Sequence, residues 1–202
     1  DYVSSLYYIK TECEFLRGNL EEAEKIFGLA IAKAKNAMGR LKFYELMMRI
    51  HLTSNKFTEV LRLAKEALAL YDIDLPYDDP KQMQDFADRE LNAVETLLAG
   101  QTLEALHDAP PHGSQELESC FAILFRVWTL AFLGGNLPTM NFAGLKIVSL
   151  TAEKGADKYS SFGYIVYGMI ESGNENYSAA YDFGMLAMGV NRRFNNIGAV
   201  PP

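Results

Sequence analysis

The three histidines of the chain are the first residues to consider as metal ligands. His51 has no second ligand three or four residues away on its predicted helix, so we expect a hydrogen-bonded structural histidine. His107 and His112 flank Asp108 in a proline-rich loop, but their spacing differs from that of common zinc sites. The histidines therefore predict no bound metal ion.

Carboxylates and glycines are the next candidates for chemistry. The acidic loop that contains Asp72, Asp74, Asp78 and Asp79 lacks the central glycine and the closing glutamate of a helix–loop–helix calcium site. We expect it to be a solvated connector. The sequence also contains no Gly-x4-Gly-Lys-Ser/Thr loop that could hold a phosphate. We predict no cofactor.

The two cysteines could act as nucleophiles only with a base beside them. Neither Cys13 nor Cys120 has a neighbouring histidine, and no Gly-x-Ser-x-Gly nucleophile elbow occurs. We predict that both thiols are buried and reduced, as in a cytoplasmic protein. This stretch of chain is therefore not expected to be an enzyme.

Composition excludes two further classes of function. Of the 202 residues, 49% are hydrophobic and 22% are charged, which is typical of a globular protein with a sizeable core. The net charge of −7 argues against a nucleic-acid surface, which needs clustered cations. The longest apolar stretch, 121–133, is interrupted by Arg126 and is too short to span a membrane.

Apolar residues recur at helical spacing nearly everywhere, and no convincing strand pattern is present. We predict an all-α single domain over 1–202 with irregular connectors near 71–80 and 108–113, and with one further turn over 102–107. The start at Asp1, without Met, and the end at Val200-Pro201-Pro202 lead us to expect a fragment of a longer chain. About nine helices are predicted, over 3–17, 20–36, 40–53, 57–70, 81–99, 114–133, 138–154, 159–172 and 177–192.

Three predicted helix pairs share a pattern around their turns. A large apolar residue follows the turn, a small or β-branched residue comes three positions later, and further residues, mostly small, follow at four and seven positions beyond that. We expect the small residues on the second helix to let the first helix of the same hairpin approach closely, and the large residue to fill the gap at the turn. One hairpin cannot bury its apolar face alone, so neighbouring hairpins must stack. The three sets are Leu20, Ala23, Phe27 and Ala30; Phe57, Val60, Ala64 and Ala67; and Tyr177, Ala180, Gly184 and Ala187.

The segment 18–30 resembles the second half of a tetratricopeptide repeat, and 55–67 and 177–187 resemble degenerate copies. The interval between Gly18 and Asn55, about 37 residues, is close to the period of that repeat. The tryptophan and the Leu-Gly pair of the family are replaced by Tyr7, Lys10 and Thr11. The resemblance implies a tetratricopeptide-like α-α superhelix of stacked antiparallel helix hairpins.

A second resemblance covers most of the chain. The runs 12–19 with 23–24, 67–68 with 73–76, 162–168 and 183–187 resemble the helical region that follows the P-loop ATPase module in large bacterial signalling proteins, many of which also carry a sensor histidine kinase. It implies a regulatory or protein-binding segment, whose parent chain could contain ATPase and kinase domains.

Ten aromatic residues leave two interpretations open. They either pack between hairpins or line a groove for a peptide or small ligand. These residues are Tyr7, Tyr8, Phe15, Phe125, Trp128, Phe132, Tyr159, Phe162, Tyr164 and Tyr167.

The resemblance to tetratricopeptide stacks also implies a binding face on the first helix of each hairpin. The lysine and asparagine that clamp a terminal carboxylate in chaperone-binding members are replaced by Tyr8, Glu12, Glu45 and Arg49, so a chaperone tail is not the expected ligand. The residues on this face are Tyr8, Glu12, Phe15, Glu45, Arg49, Leu52, Ile165, Met169 and Ser172.

Two functions remain open from the sequence. The first is a non-catalytic protein-interaction and signal-relay module, whose partner is another domain of the parent chain or a signalling protein. The alternative is an inducer-sensing domain that regulates an adjacent ATPase or kinase through a pocket lined by the aromatic residues of the later helices. Neither function assigns an oligomeric state.

Overall fold

The computed structural model describes residues 2–34 and 36–195, so both chain ends on which the fragment expectation rests lie outside it. The described residues form an all-α fold without a β-strand, which confirms the predicted fold class. Its ten helices include the turn predicted over 102–107. They are α1 Tyr2–Leu16, α2 Leu20–Lys33, α3 Ala37–Thr53, α4 Phe57–Ala69, α5 Pro80–Leu98, α6 Leu103–His107, α7 Gln115–Leu133, α8 Leu137–Lys154, α9 Ser160–Gly173 and α10 Tyr177–Arg193.

Side-chain caps fix where several helices begin. Asp79 accepts hydrogen bonds from the amides of Lys81 and Gln82, and Pro80 occupies the first turn of α5. Asn36 accepts from the amide of Gly39 at 2.8 Å. Because this cap starts α3 at Ala37, the predicted continuation of the second helix to residue 36 is wrong.

Four hairpins, not three, share one turn. Gly18, Asn55, Gly135 and Glu175 all have a positive φ, between 55° and 83°. Each of these residues donates its amide to the carbonyl three residues earlier, and the next amide donates to the carbonyl five residues earlier, over 2.8 to 3.2 Å. This pattern satisfies the last carbonyls of the first helix and reverses the chain. The pairs are α1–α2, α3–α4, α7–α8 and α9–α10.

The chain divides into two compact units, 1–75 and 76–202, each of which is described by itself. In the first unit, α1 pairs with α2 and α3 pairs with α4, while α3 also contacts α1 and α2. Its core is lined mainly by α3 and α4, with Leu41, Met48 and Leu63 fully buried. The single domain over 1–202 stays a prediction.

The second unit is organised around α8, which contacts α5, α7 and α9. The α9–α10 hairpin closes one side of this unit, and α6 lies on α10. A buried cluster joins Val94 of α5, Leu145 and Val148 of α8, and Tyr164 and Leu186 of the last hairpin. No helix among those described combines the length and the apolar content needed to cross a bilayer.

Glycines bring α8 and α9 into close contact. A Cβ placed on Gly144 would lie 2.6 Å from Cβ of Val166, and one on Gly163 would lie 2.7 Å from Cγ2 of Ile147. Both distances are well below ordinary van der Waals contact. At Gly144 the small residue of the pattern therefore serves the approach of the next hairpin. Ala180 shows the approach within one hairpin that the sequence suggested, because a Cβ on Gly168 of α9 would lie 3.2 Å from its carbonyl oxygen.

Two packing expectations are wrong. Phe57 and Tyr177, which were expected to fill the gaps at the turns, are 46% and 66% exposed. They begin their helices on the outside because the backbone turn itself closes the hairpin. Cys13 is exposed on α1, whereas Cys120 is buried as predicted.

Candidate functional site

The binding face predicted from the first helices lies partly in the first unit. The structure brings two of its residues together: Arg49 of α3 donates to Oε1 of Glu12 of α1 at 2.7 Å. Tyr8 packs against Phe43, with ring centroids 6.2 Å apart. Phe15, Glu45 and Leu52 are half-buried in the same unit. Because Glu12 and Arg49 satisfy each other near solvent, their pair contributes little to stability.

Ile165 and Met169, the other predicted residues, lie one helical turn apart on α9 in the second unit, and both are exposed, like Ser172. Sequence reasoning missed their neighbours on α10, which follow one face of that helix at i, i+4 and i+7. The five side chains are each between 44% and 68% exposed. We call this set the α9–α10 patch; it consists of Ile165, Met169, Tyr181, Met185 and Met188.

The hairpin α7–α8 has an equivalent face, part of which is covered by another hairpin. When Gly135 is aligned with Glu175, the residues Leu145 and Val148 take the positions of Met185 and Met188. Both are buried in the cluster that includes Tyr164 and Leu186 of the next hairpin. Met185 and Met188 of the α9–α10 patch therefore hold positions that elsewhere in the second unit are covered by a helix hairpin.

Gly184 adds an opening to this patch. It takes the position of Gly144, which contacts Val166 of the following hairpin, yet a Cβ on Gly184 would meet no described atom within 4 Å. Phe27 holds the same position in α2. It packs edge-on against Tyr44 of α3, with ring centroids 5.6 Å apart. The position thus contacts the next hairpin on α2 and α8, whereas it is open on α10.

Hydrogen bonds are well satisfied around the His112 loop. Nε2 of His112 lies 3.1 Å from Oδ2 of Asp157, and Nδ1 accepts from the amide of Ser114 at 2.9 Å. Both side chains are buried. Oδ1 of Asp157 accepts from the amide of Tyr159 at the start of α9. The pair therefore ties the loop before α7 to the loop before α9, which is a structural role.

A cleft of about 440 Å³ lies within the first unit between α2, α3 and α4. Its floor includes His51, whose side chain is 3% exposed, and no described residue hydrogen-bonds to Nδ1. Nε2 lies 3.9 Å from Oε1 of Glu24, beyond hydrogen-bonding distance. His51 is buried, but the hydrogen bond expected for it is missing among the described residues.

The charges at the rim of the cleft are paired with one another. Lys56 lies 3.4 Å from Glu24, and Arg62 donates to Glu59 at 2.8 Å, which lowers the pKa of the Glu59 carboxyl. Burial lowers the pKa of His51, an effect that Glu24 partly opposes. The cleft therefore offers a neutral imidazole below a balanced polar rim. A buried ring nitrogen without a partner is costly unless a ligand or water satisfies it.

The aromatic residues of the later helices pack against one another. Phe162 meets Phe125 and Trp128 edge-on, with centroids 4.8 and 4.4 Å apart. Phe132 stacks on Trp128. The cleft just described is lined by earlier helices instead. Within 2–34 and 36–195, no three His, Cys, Asp or Glu side chains are grouped to hold a metal ion.

Comparisons with known proteins give one distant relative. Over 95% of its length the chain is 24% identical to a part of hybrid signal transduction histidine kinase G of Dictyostelium discoideum. It spans 6% of the length of that kinase. No protein-family model matches the chain, and no solved structure matches it. The chain is thus similar to a region of a signalling protein; the bacterial origin that the resemblance implied stays a prediction.

Proposed function

We propose that this chain is a non-catalytic interaction and signal-relay module that binds a helical segment of a protein partner. The observation that carries the proposal is the α9–α10 patch. The positions of Met185 and Met188 on α7–α8 are buried beneath a helix hairpin, whereas here five apolar side chains stay exposed beside an open glycine. None of the five side chains is charged, and exposed apolar surface is typical of binding sites.

The chemistry of the patch indicates what it binds. Its three methionines have flexible, polarizable side chains that adapt to the shape of a partner. Tyr181 combines a large apolar ring with a hydroxyl that can stay at the rim. A partner helix with an apolar stripe fits this surface better than a charged peptide. A signalling role is consistent with the similarity to the Dictyostelium kinase, and we place the module in the cytoplasm.

Calorimetric titration of the chain with the protein segments that flank it in its gene tests this function. We expect binding by at least one segment, and we expect Met185→Asp to weaken it at least tenfold by burying an unpaired charge. The matched control is Lys25→Asp, an exposed charge reversal on α2, which should leave binding unchanged. Binding that is the same for the Met185→Asp chain and the unsubstituted chain would refute the role of the patch.

The cleft over His51 favours a second function, the sensing of a small molecule. We infer a polar, uncharged ligand that contacts His51 and Phe27, because the rim charges already neutralise one another. A thermal-shift screen of neutral metabolites tests this function, since a ligand at about 100 times its dissociation constant stabilises by about 2.7 kcal/mol. Stabilisation that persists in His51→Phe would place the ligand elsewhere.

A further inference from the structure

We propose that the α9–α10 patch of one copy of the chain receives the α1–α2 hairpin of a second copy, head to tail. The inference rests on the proposed function, because it uses the same patch, and it names the partner. Its basis is an interface that the second unit already contains: α9–α10 seated on α7–α8. The hairpin α1–α2 carries, still exposed, the side chains that such a docked hairpin needs.

The two hairpins are the same structural unit. Both turns have the same pair of backbone hydrogen bonds. In both, the asparagine after the turn donates its side chain to a glutamate five residues earlier: Asn19 to Glu14 at 2.9 Å and Asn176 to Glu171 at 2.6 Å. Alignment of Gly18 with Glu175 therefore relates equivalent positions of the two hairpins.

This alignment places apolar residues of α1–α2 where α9–α10 contacts α7–α8. Ile9 takes the position of Val166, the β-branched residue that lies against Gly144. Leu29 takes the position of Leu186, which is buried beside Leu145 and Val148.

In α1–α2 the positions of Val166 and Leu186 are uncovered, because Ile9 and Leu29 are 56% and 54% exposed. Leu6, which is 49% exposed, takes the position of Gly163, where a Cβ would lie 2.7 Å from Cγ2 of Ile147. Two apolar faces thus lie open on the chain, and each repeats part of one half of the α7–α8/α9–α10 interface. Seating α1–α2 on a second copy would place Ile9 over Gly184 and Leu29 against Met185 and Met188.

Differences between the α1–α2 face and the corresponding face of α9–α10 indicate a weaker contact. Lys10 and Lys33 replace Tyr167 and Val190 at the edge of the face. Lys33 donates to the hydroxyl of Tyr7 at 2.8 Å, and long lysine stems can cover apolar surface while their charges stay in water. The contact joins two different surfaces, so it propagates from copy to copy until it is blocked or closes into a ring.

Two variants that block opposite faces test the proposal. Sedimentation of the full chain from about 10 μM to about 1 mM should show a rising average mass, since the two lysines at the edge of the face make the contact weak. Ile9→Asp and Met185→Asp should each stay monomeric. An equimolar mixture of the two should form dimers and nothing larger. The Ile9→Asp chain keeps its α9–α10 patch and the Met185→Asp chain keeps its α1–α2 face, so one contact can form between them. Gly184→Ala should weaken association without loss of folding.

A wild-type chain that stays monomeric throughout would overturn the proposal. So would a variant mixture that stays monomeric, or single variants that still associate. Circular dichroism of each variant shows whether it is folded, and Gly184→Ala supplies the test if an aspartate variant is not. If the chain stays monomeric but binds its flanking segments through Met185, self-association fails while the proposed function holds.

Discussion

Substitution of Gly144 by alanine tests the close packing on which the comparison of hairpins depends. The new Cβ would lie 2.6 Å from Cβ of Val166, a side chain that is fully buried. Carbon atoms pack at about 3.5–4.0 Å, so α8 and α9 must separate by about 1 Å. Neither helix can move freely, because Leu145 and Val148 of α8 are buried against the last hairpin.

The expected cost follows from two opposed effects. Overpacking of a well-packed core costs about 1–3 kcal/mol, and the higher helix propensity of alanine offsets this by about 1 kcal/mol. We expect Gly144→Ala to lower the free energy of unfolding by up to about 2 kcal/mol. The matched control is Gly184→Ala, at the equivalent open position, which should be neutral or stabilise by up to about 1 kcal/mol.

Urea unfolding followed by tryptophan fluorescence measures this effect in the correct unit, because Trp128 of α7 is the sole tryptophan of the sequence. Val166→Ala should restore part of the loss in the Gly144→Ala background, since it removes the methyl groups that clash. Equal effects of Gly144→Ala and Gly184→Ala, or a double variant that shows no coupling, would refute the reasoning.

Three further predictions concern titratable and polar side chains. Burial lowers the pKa of His51 below 6.5, so the unfolded state binds a proton at this side chain before the folded state does as the pH falls below about 6.5. The free energy of unfolding should therefore decrease over that pH range, and it should decrease less in His51→Gln. Urea titrations at several pH values measure this difference. Burial raises the pKa of Cys120 to about 12. A disulfide reagent at pH 8 should therefore label Cys13 quickly and Cys120 only after urea is added. Fast labelling of both thiols without urea would contradict the burial of Cys120. Asp157→Ala should lower the free energy of unfolding by about 2 kcal/mol or more, because it leaves His112 and the amide of Tyr159 without their acceptor. Asp157→Asn should lower it less. Equal midpoints of urea unfolding for the two variants would be evidence against this hydrogen-bond network.

The sequence predicts the helices and their turns well because both are local. Helical spacing and the pair Gly18-Asn19 suffice for the first hairpin, and the same features mark the last. The turn at Gly135 was not recognised as a fourth copy, although Leu137, Met140 and Gly144 repeat the spacing. Pro138, interpreted only as a helix start, obscured that signal.

Burial was predicted less well because it depends on what another helix covers. Cys13 and Tyr177 follow the helical spacing of core residues, yet each lies on a face that no described helix covers. Met185 and Met188 would have been assigned to the core by the same rule. The missing hydrogen bond of His51 depends on the position of Glu24 on a different helix, which spacing along one helix does not determine.

Hydrogen exchange of the chain with and without its flanking segments tests the central claim most directly. We expect protection of backbone amides to increase in α9 and α10, around Met169 and Met185, while protection in the cleft over His51 is unchanged. Protection confined to that cleft, or unchanged exchange at α9 and α10 under conditions where a segment binds, would contradict the assignment of the patch as the recognition surface.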